Sequence, residues 1–233
     1  MSIRLIQRHL LASVVAAGFM ITATTADAKS SAKRSYTAPL GLSAVQVPGF
    51  HHSYIRKEAD LATPRPVCVS NGELTLASDW PRKAYGRQLR TDDLKRIQTD
   101  FNRAVRKEFE KAFRDQGGYK LASSDADCAL RIVVSVQDLY LNAPEAFSAV
   151  SAKTYARSVG RLRMQVDVLD ASGAILLARA HGDRTDPEDT WNADPHELVN
   201  ETNRITEIDN IDFARDAARD FAEYTRTRLL KSH

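Results

Sequence analysis

Residues 156–183, ARSVGRLRMQVDVLDASGAILLARAHGD, constrain this chain more than any other segment, with a strand expected over 156–169. Leu162, Met164, Val166 and Val168 share one phase, and Arg161, Arg163, Gln165 and Asp167 share the other. Alternation this strict marks a strand with one dry and one wet face. Asp170-Ala171-Ser172-Gly173 then supplies a hairpin turn. A return strand follows over 174–183. Ala174, Leu176, Ala178 and Ala180 lie on one of its phases, and Ile175, Leu177, Arg179 and His181 on the other. A lone hairpin is marginal in water, so other elements must cover its dry face.

The cover is legible elsewhere. From Asp92 to Gln116, Leu94, Ile97, Phe101, Ala104, Val105, Phe109, Ala112 and Phe113 recur at three- and four-residue steps, the stripe of an amphipathic helix. Thr91 is placed to cap it, Asp92 and Asp93 suit the positive end of its dipole, and Gly117-Gly118 supply a left-handed stop. A second amphipathic helix spans 211–231, with Ala214, Ala217, Ala218, Phe221, Tyr224 and Leu229 on its apolar side. A first strand over 66–70 carries Val67-Cys68-Val69 and ends at Asn71-Gly72, a turn signal. A strand over 127–140 holds Cys128, Leu130, Ile132, Val134 and Val136 in one phase. Asp138 then falls on the apolar phase, while Leu139 and Leu141 fall on the polar one. Such a switch marks a bulge or the strand's exit from the sheet, and Asn142-Ala143-Pro144 ends it.

The resulting order is β-α-β-β-β-α. A right-handed crossover makes the first two strands parallel. This predicts an α/β (α+β) two-layer sandwich: a mixed four-stranded sheet with two helices on one face.

The first 28 residues read as an export signal. Arg4 and Arg8 precede the uncharged run Leu10–Thr22, and Ala26-Asp27-Ala28 is an A-x-A cleavage site, with cleavage between Ala28 and Lys29. The run is shorter than the ~20 apolar residues a spanning helix needs. Cleavage removes Arg4, Arg8 and Asp27 and takes the formal net charge from +3 to +2. That balance gives no polybasic argument for nucleic acid. Residues 29–47 read as a flexible leader, and 48–233 as a single α/β domain. No cysteine precedes Cys68, so the signal offers no acceptor for a lipid. The expected location is periplasmic and soluble, with no membrane span after signal cleavage. In an oxidising compartment Cys68 and Cys128, the chain's 2 cysteines, become either a disulfide across neighbouring parallel strands or two buried thiols.

Three stretches, LRTDDLKRIQTDFNRAVRKEFEKAF, GGYKLASSDADCALRIVVSVQDLYLNAP and GRLRMQVDVLDASGAILLARAHGDR, resemble the bacterial domain-of-unknown-function 3313 family over roughly residues 45–230. Its members are small exported envelope proteins, many of them classed as lipoproteins. The resemblance implies an envelope address and this fold class. It implies no activity, and the missing lipobox cysteine sets this chain apart from the lipoprotein members.

Reactive constellations are sparse. There is no G-x-S-x-G elbow, P-loop or G-x-G-x-x-G. His196-Glu197 starts like a zinc-protease helix, but Asn200 stands where the second imidazole belongs. His51-His52 would need a third ligand to hold a metal and otherwise read as a solvated segment. Asp183, Asp186, Glu188 and Asp189 read as a solvated acidic loop, with no central glycine for calcium. Asn200-Glu201-Thr202 matches a glycosylation acceptor that a bacterial chain does not use. Trp80 and Trp191 either anchor a partner or pin their loops to the core.

Asp138 needs partners if it is buried. Arg179 or His181 could supply them, with Tyr140 and Asn142 continuing its phase. The expectation is a non-catalytic module that binds an unknown envelope protein or component, without cofactor, metal or catalytic residue. Asp138, Tyr140, Asn142, Arg179, His181 and Trp191 are its candidate binding residues. The alternative is an enzyme or small-ligand protein with a polar pocket near Asp138, Arg179 and His181.

Overall fold

The structure is a computed structural model that describes residues 37–78, 80, 83–84, 87–88, 91–114, 118–141, 154–156, 160–185, 203–205 and 207–232. The signal segment with its Ala28–Lys29 junction, Asn142, Trp191, His196 and the acidic residues 186–189 lie outside them.

In chain order the elements are β1 (Ser43–Val45), β2 (His52–Ile55), β3 (Pro66–Leu76), β4 (Lys83–Ala84), β5 (Arg87–Gln88), α1 (Thr91–Arg114), β6 (Lys120–Leu121), β7 (Leu130–Leu141), β8 (Thr154–Ala156), β9 (Gly160–Leu169), β10 (Leu176–Thr185), β11 (Asn203–Ile205) and α2 (Glu207–Thr227). Short 3-10 turns occupy Asp125–Asp127 and Leu229–Lys231. The main sheet has seven strands in the order β1-β2-β10-β9-β7-β3-β6. β3 is parallel to β7 and β6, and the other pairings are antiparallel.

The expected parallel crossover and antiparallel hairpin are therefore present at the centre, as β3, β7, β9 and β10. The four-stranded expectation is corrected to seven strands. The additions β1, β2 and β6 are three, four and two residues long, too short to show a period of two. β1 also falls inside the segment expected to be a flexible leader, where Leu42 and Val47 are buried. Asn71-Gly72 is not a turn but lies inside β3. A Cβ on Gly72 would stand 2.1 Å from Ser135 Oγ, so the strands come closest where no side chain intervenes.

Each helix covers part of the dry face. Ile97, Phe101, Val105, Phe109 and Phe113 of α1 and Ala214, Ala217, Ala218 and Phe221 of α2 share one core with Leu130, Ile132, Val134, Val136, Leu162, Met164, Val166, Val168, Ala178 and Ala180. α1 packs over β3 and α2 over β9, and the helices pack on each other. Alanines at 214, 217 and 218 let α2 approach closely, and Phe221 sits against the backbone at Gly182. Gly118, at φ 87, adopts the left-handed conformation expected after α1.

The phase switch in β7 is a bulge. β7 gains one residue against β9 between Gln137 and Tyr140, and one against β3 between Val136 and Leu139. Asp138 is the extra residue, and its φ of 52 makes it the one non-glycine with positive φ among the described residues. Asp tolerates this region better than most side chains. The bulge turns Asp138 out of the core and sends Leu139 and Leu141 into it, both fully buried. A register of strict alternation would have placed a carboxylate under the helices.

Candidate functional site

The face of the sheet opposite the helices is polar, and strand register sorts its side chains into rows. Tyr54, Arg179 and Asp167 stand side by side across β2, β10 and β9. His52, His181, Gln165 and Ser135 form the next row, from β2 to β7. Asp183, Arg163 and Gln137 form the third. Directly opposed side chains on neighbouring strands have Cβ atoms about 4.5–5.5 Å apart, so each row is a line of contact.

Within the rows the charges are compensated. Arg179 grips Asp167 with two bonds, Nε to Oδ1 at 2.6 Å and Nη2 to Oδ2 at 2.7 Å. Arg163 donates from Nη1 to Asp138 Oδ2 at 3.0 Å and from Nε to Asp183 Oδ1 at 2.6 Å. Asp183 Oδ2 lies 3.4 Å from His51 Nδ1, which also accepts from the Asp183 backbone N–H at 3.3 Å. Gln137 donates to Gln165, and Gln165 to Asp167. The backbone N–H of Asp138 reaches Thr75 Oγ1 at 3.4 Å. The Arg161 guanidinium stacks over the Tyr140 ring, 4.3 Å from its centroid.

Asp138 is thus partnered by Arg163, not by Arg179 or His181. β9 lies between β7 and β10, which puts β10 two strand spacings away, about 9.6 Å. The bulge aims Asp138 at the nearest cation on the intervening strand. Arg179 is taken up by Asp167, whose hydrogen bond raises the guanidinium pKa. His181 is buried, and burial first, then the positive field of Arg179, lowers its pKa from 6.5 to about 4. Asp138 and Arg179 fall in two separate ion-pair groups, and His181 stands in the row between His52 and Gln165. Tyr140 lies beside Arg161, at the same end of the sheet as Asp138.

Sequence reasoning missed the contribution of β2. His52 and Tyr54 face the β10 residues because a four-residue strand forms there. The signal available was the HSYI string itself, too short to separate from a loop. Trp80 does not offer a binding surface: it is buried, and its Nε1 donates to the carbonyl of Leu141 at 3.1 Å, which pins its segment to the end of β7.

Asp138→Asn tests the weight of the bulge pair. Asparagine keeps the left-handed conformation accessible but discards the carboxylate charge that faces Arg163. The expected loss is about 1 kcal/mol in urea unfolding, because both groups retain some solvent. A loss several times larger would mean that the bulge itself collapses.

A second cluster sits at the other end of β7. Cys68 and Cys128 lie at disulfide distance, Cα to Cα 5.6 Å. Beside them Arg131 holds Asp125 with bonds of 2.7 and 3.1 Å, and the same guanidinium donates to the carbonyl of Ala171. These bonds hold the Asp125 carboxyl below its usual range.

No helix among the described residues is long and apolar enough to cross a membrane. No family model matches the chain, and no curated protein does. The likeness to the domain-of-unknown-function 3313 family therefore stays with the short strings that carry it. Solved structures that superpose include a PelC dodecamer from Paraburkholderia phytofirmans, at 9% identity and TM-score 0.34, over 77% of this chain and 96% of that one. A candidate lipoprotein from Caulobacter crescentus gives 13% identity and 0.33, over 75% and 95% of the two chains. A domain-of-unknown-function 330 protein from Xanthomonas campestris gives 9% and 0.35, over 73% and 88%. Scores and identities this low assign neither a family nor a function to the chain.

Proposed function

We propose that this is an exported periplasmic protein that works as a non-catalytic binding or assembly module of the cell envelope, with the polar sheet face as its docking surface. The observation that supports this is the state of the charges on that face. Arg163, Arg179, Asp138, Asp167 and Asp183 are engaged with one another before any partner arrives. They still keep side-chain exposures between 15% and 46%. Charges held in place and partly open give a partner fixed hydrogen-bonding positions, which favours selective docking over proton transfer. An enzyme or small-ligand reading centred on Asp138, Arg179 and His181 has less support, since β9 keeps Asp138 from the other two.

Site-specific photocrosslinking in cells tests the reading. A crosslinker at Arg161, on the polar face, should give one discrete adduct in the envelope fraction. The same group at Lys107, exposed on α1, should give none. Recovery of the chain in the cytosol, or equal adducts from both positions, would overturn it.

A further inference from the structure

Among the described residues three large apolar side chains are exposed: Leu40 at 98%, Ile175 at 48% and Val45 at 36%. All three lie at one corner of the main sheet. Val45 ends β1, the outermost strand. Leu40 sits at the tip of the turn that leads into β1, closed by the Leu42 N–H to the Pro39 carbonyl at 3.0 Å, with Gly41 at φ 80. That turn buries Leu42 and throws Leu40 outward. Ile175 precedes β10, and Arg56 ties the two segments together. Its Nε donates to the Leu176 carbonyl at 3.0 Å, and its Nη1 lies 3.0 Å from where a Cβ on Gly41 would stand.

Sheet edges are ordinarily blunted by charge, proline or a bulge. β1, Ser43-Ala44-Val45, has none of these; all three residues are exposed, and residues 37–50 hold no charged side chain. The opposite edge, β6, is two residues long and carries Lys120. Among the described residues no strand pairs with the outer side of β1, so alternate backbone N–H and C=O groups of β1 point away from the sheet. We propose that two copies of the chain meet at this edge, β1 against β1 in antiparallel pairing about a two-fold axis.

The edge asks for a strand. A lipid surface would cover the apolar side chains but leave the outward backbone groups without partners. It also asks for a short strand, because Pro39 and Pro48 bracket it and lack the N–H that a longer ladder needs. A second β1 meets both demands, bounded by the same prolines at the same distances. Being uncharged, it can lie against itself with no like charges opposed. With Ala44 facing its own copy at the axis, Ser43 opposes Val45, and the Leu40 turn of each copy falls at the end where the partner copy's Val45 lies. Such contacts are reciprocal, as a two-fold interface requires. The contact is small, below the ~1,200 Å2 of standard interfaces, so the dimer forms and dissociates with concentration. The edge and the polar face are different surfaces, and either can be occupied without the other.

Sedimentation of the purified, oxidised chain over a concentration series tests this. A monomer–dimer equilibrium should appear below about 1 mM, as small interfaces allow. It should persist in about 1 M NaCl, where contacts between exposed charges are screened. Val45→Lys and Leu40→Ser should each weaken it by about tenfold or more, since each substitution removes two apolar contacts from a symmetric interface. Lys107→Ala, on the exposed side of α1, should leave it unchanged. Leu40 is the tip of a turn, so its variant keeps the test valid if Val45→Lys disturbs β1. A photocrosslinker at Val45 in cells should give an adduct of two copies of the chain. The proposal falls if the chain is monomeric throughout, if the dimer ignores both substitutions or dissolves in salt, or if the Val45 adduct contains only another protein or a lipid.

Discussion

Replacing both cysteines with alanine should lower the unfolding free energy by about 4 kcal/mol. Cys68 and Cys128 are 60 positions apart in sequence, and the loop entropy withheld from the unfolded state by closing that loop reaches this size. In a domain of this length, that corresponds to a drop of about 10 °C in melting temperature. The position of the link explains why the native state should not resist it. Val67 on β3 pairs in register with Leu130 on β7, so the residue after the first and the residue two before the second meet at one end of two adjacent parallel strands. The closed loop contains β3, α1 and β6, the whole crossover on which the parallel half of the sheet depends. Urea unfolding of the wild type with and without reductant, beside the double variant, measures the effect. A double variant within about 1 kcal/mol of the oxidised wild type, far below the usual worth of such a link, would show that the two sulfurs are not bonded in the working protein.

The centre of the fold was legible because its signals are long. Ten residues of alternation in β9 and twenty-four of helical period in α1 leave little freedom. The edges were not legible. Strands of two to four residues are made by the neighbour they pair with, and a string such as HSYI carries no periodicity of its own. The phase break at Asp138 was readable as a bulge or as the strand's exit from the sheet, and register with both neighbours decides for the bulge. Its partner was not readable, because strand order decides it. With β10 beside β7, Arg179 could have reached Asp138. With β9 between them, Arg163 does, and Arg179 turns to Asp167. The pairing of His52 with His181 was hidden for both reasons at once: it requires a strand too short to recognise and a register that joins β2 to β10.

His181 should impose a pH dependence on stability. In the unfolded chain its imidazole takes a proton near 6.5; in the native sheet burial, then Arg179, delays that to about 4. His52 and Arg163 push in the same direction, while Asp167 opposes them without prevailing. The unfolded state therefore binds more protons between those values, and stability must fall as the pH drops through that window. Above 6.5 the contribution is flat, because both states are neutral. Below about 4 it levels again, because both are charged. A shift of this size corresponds to about 3 kcal/mol, fully lost only at the acid end. The carboxyls of Asp60, Asp125 and Asp170 are lowered from 3.8, so what they contribute is lost mostly below the histidine window and, being common to the wild type and His181→Gln, cancels in their comparison. Urea unfolding at intervals between about pH 7.5 and about pH 4 should show the decline in the wild type and a shallower one in His181→Gln, where a neutral side chain occupies the same row. Two parallel curves would mean that the imidazole reaches water in the native state, and that the row from His52 to Ser135 is more open than its packing implies.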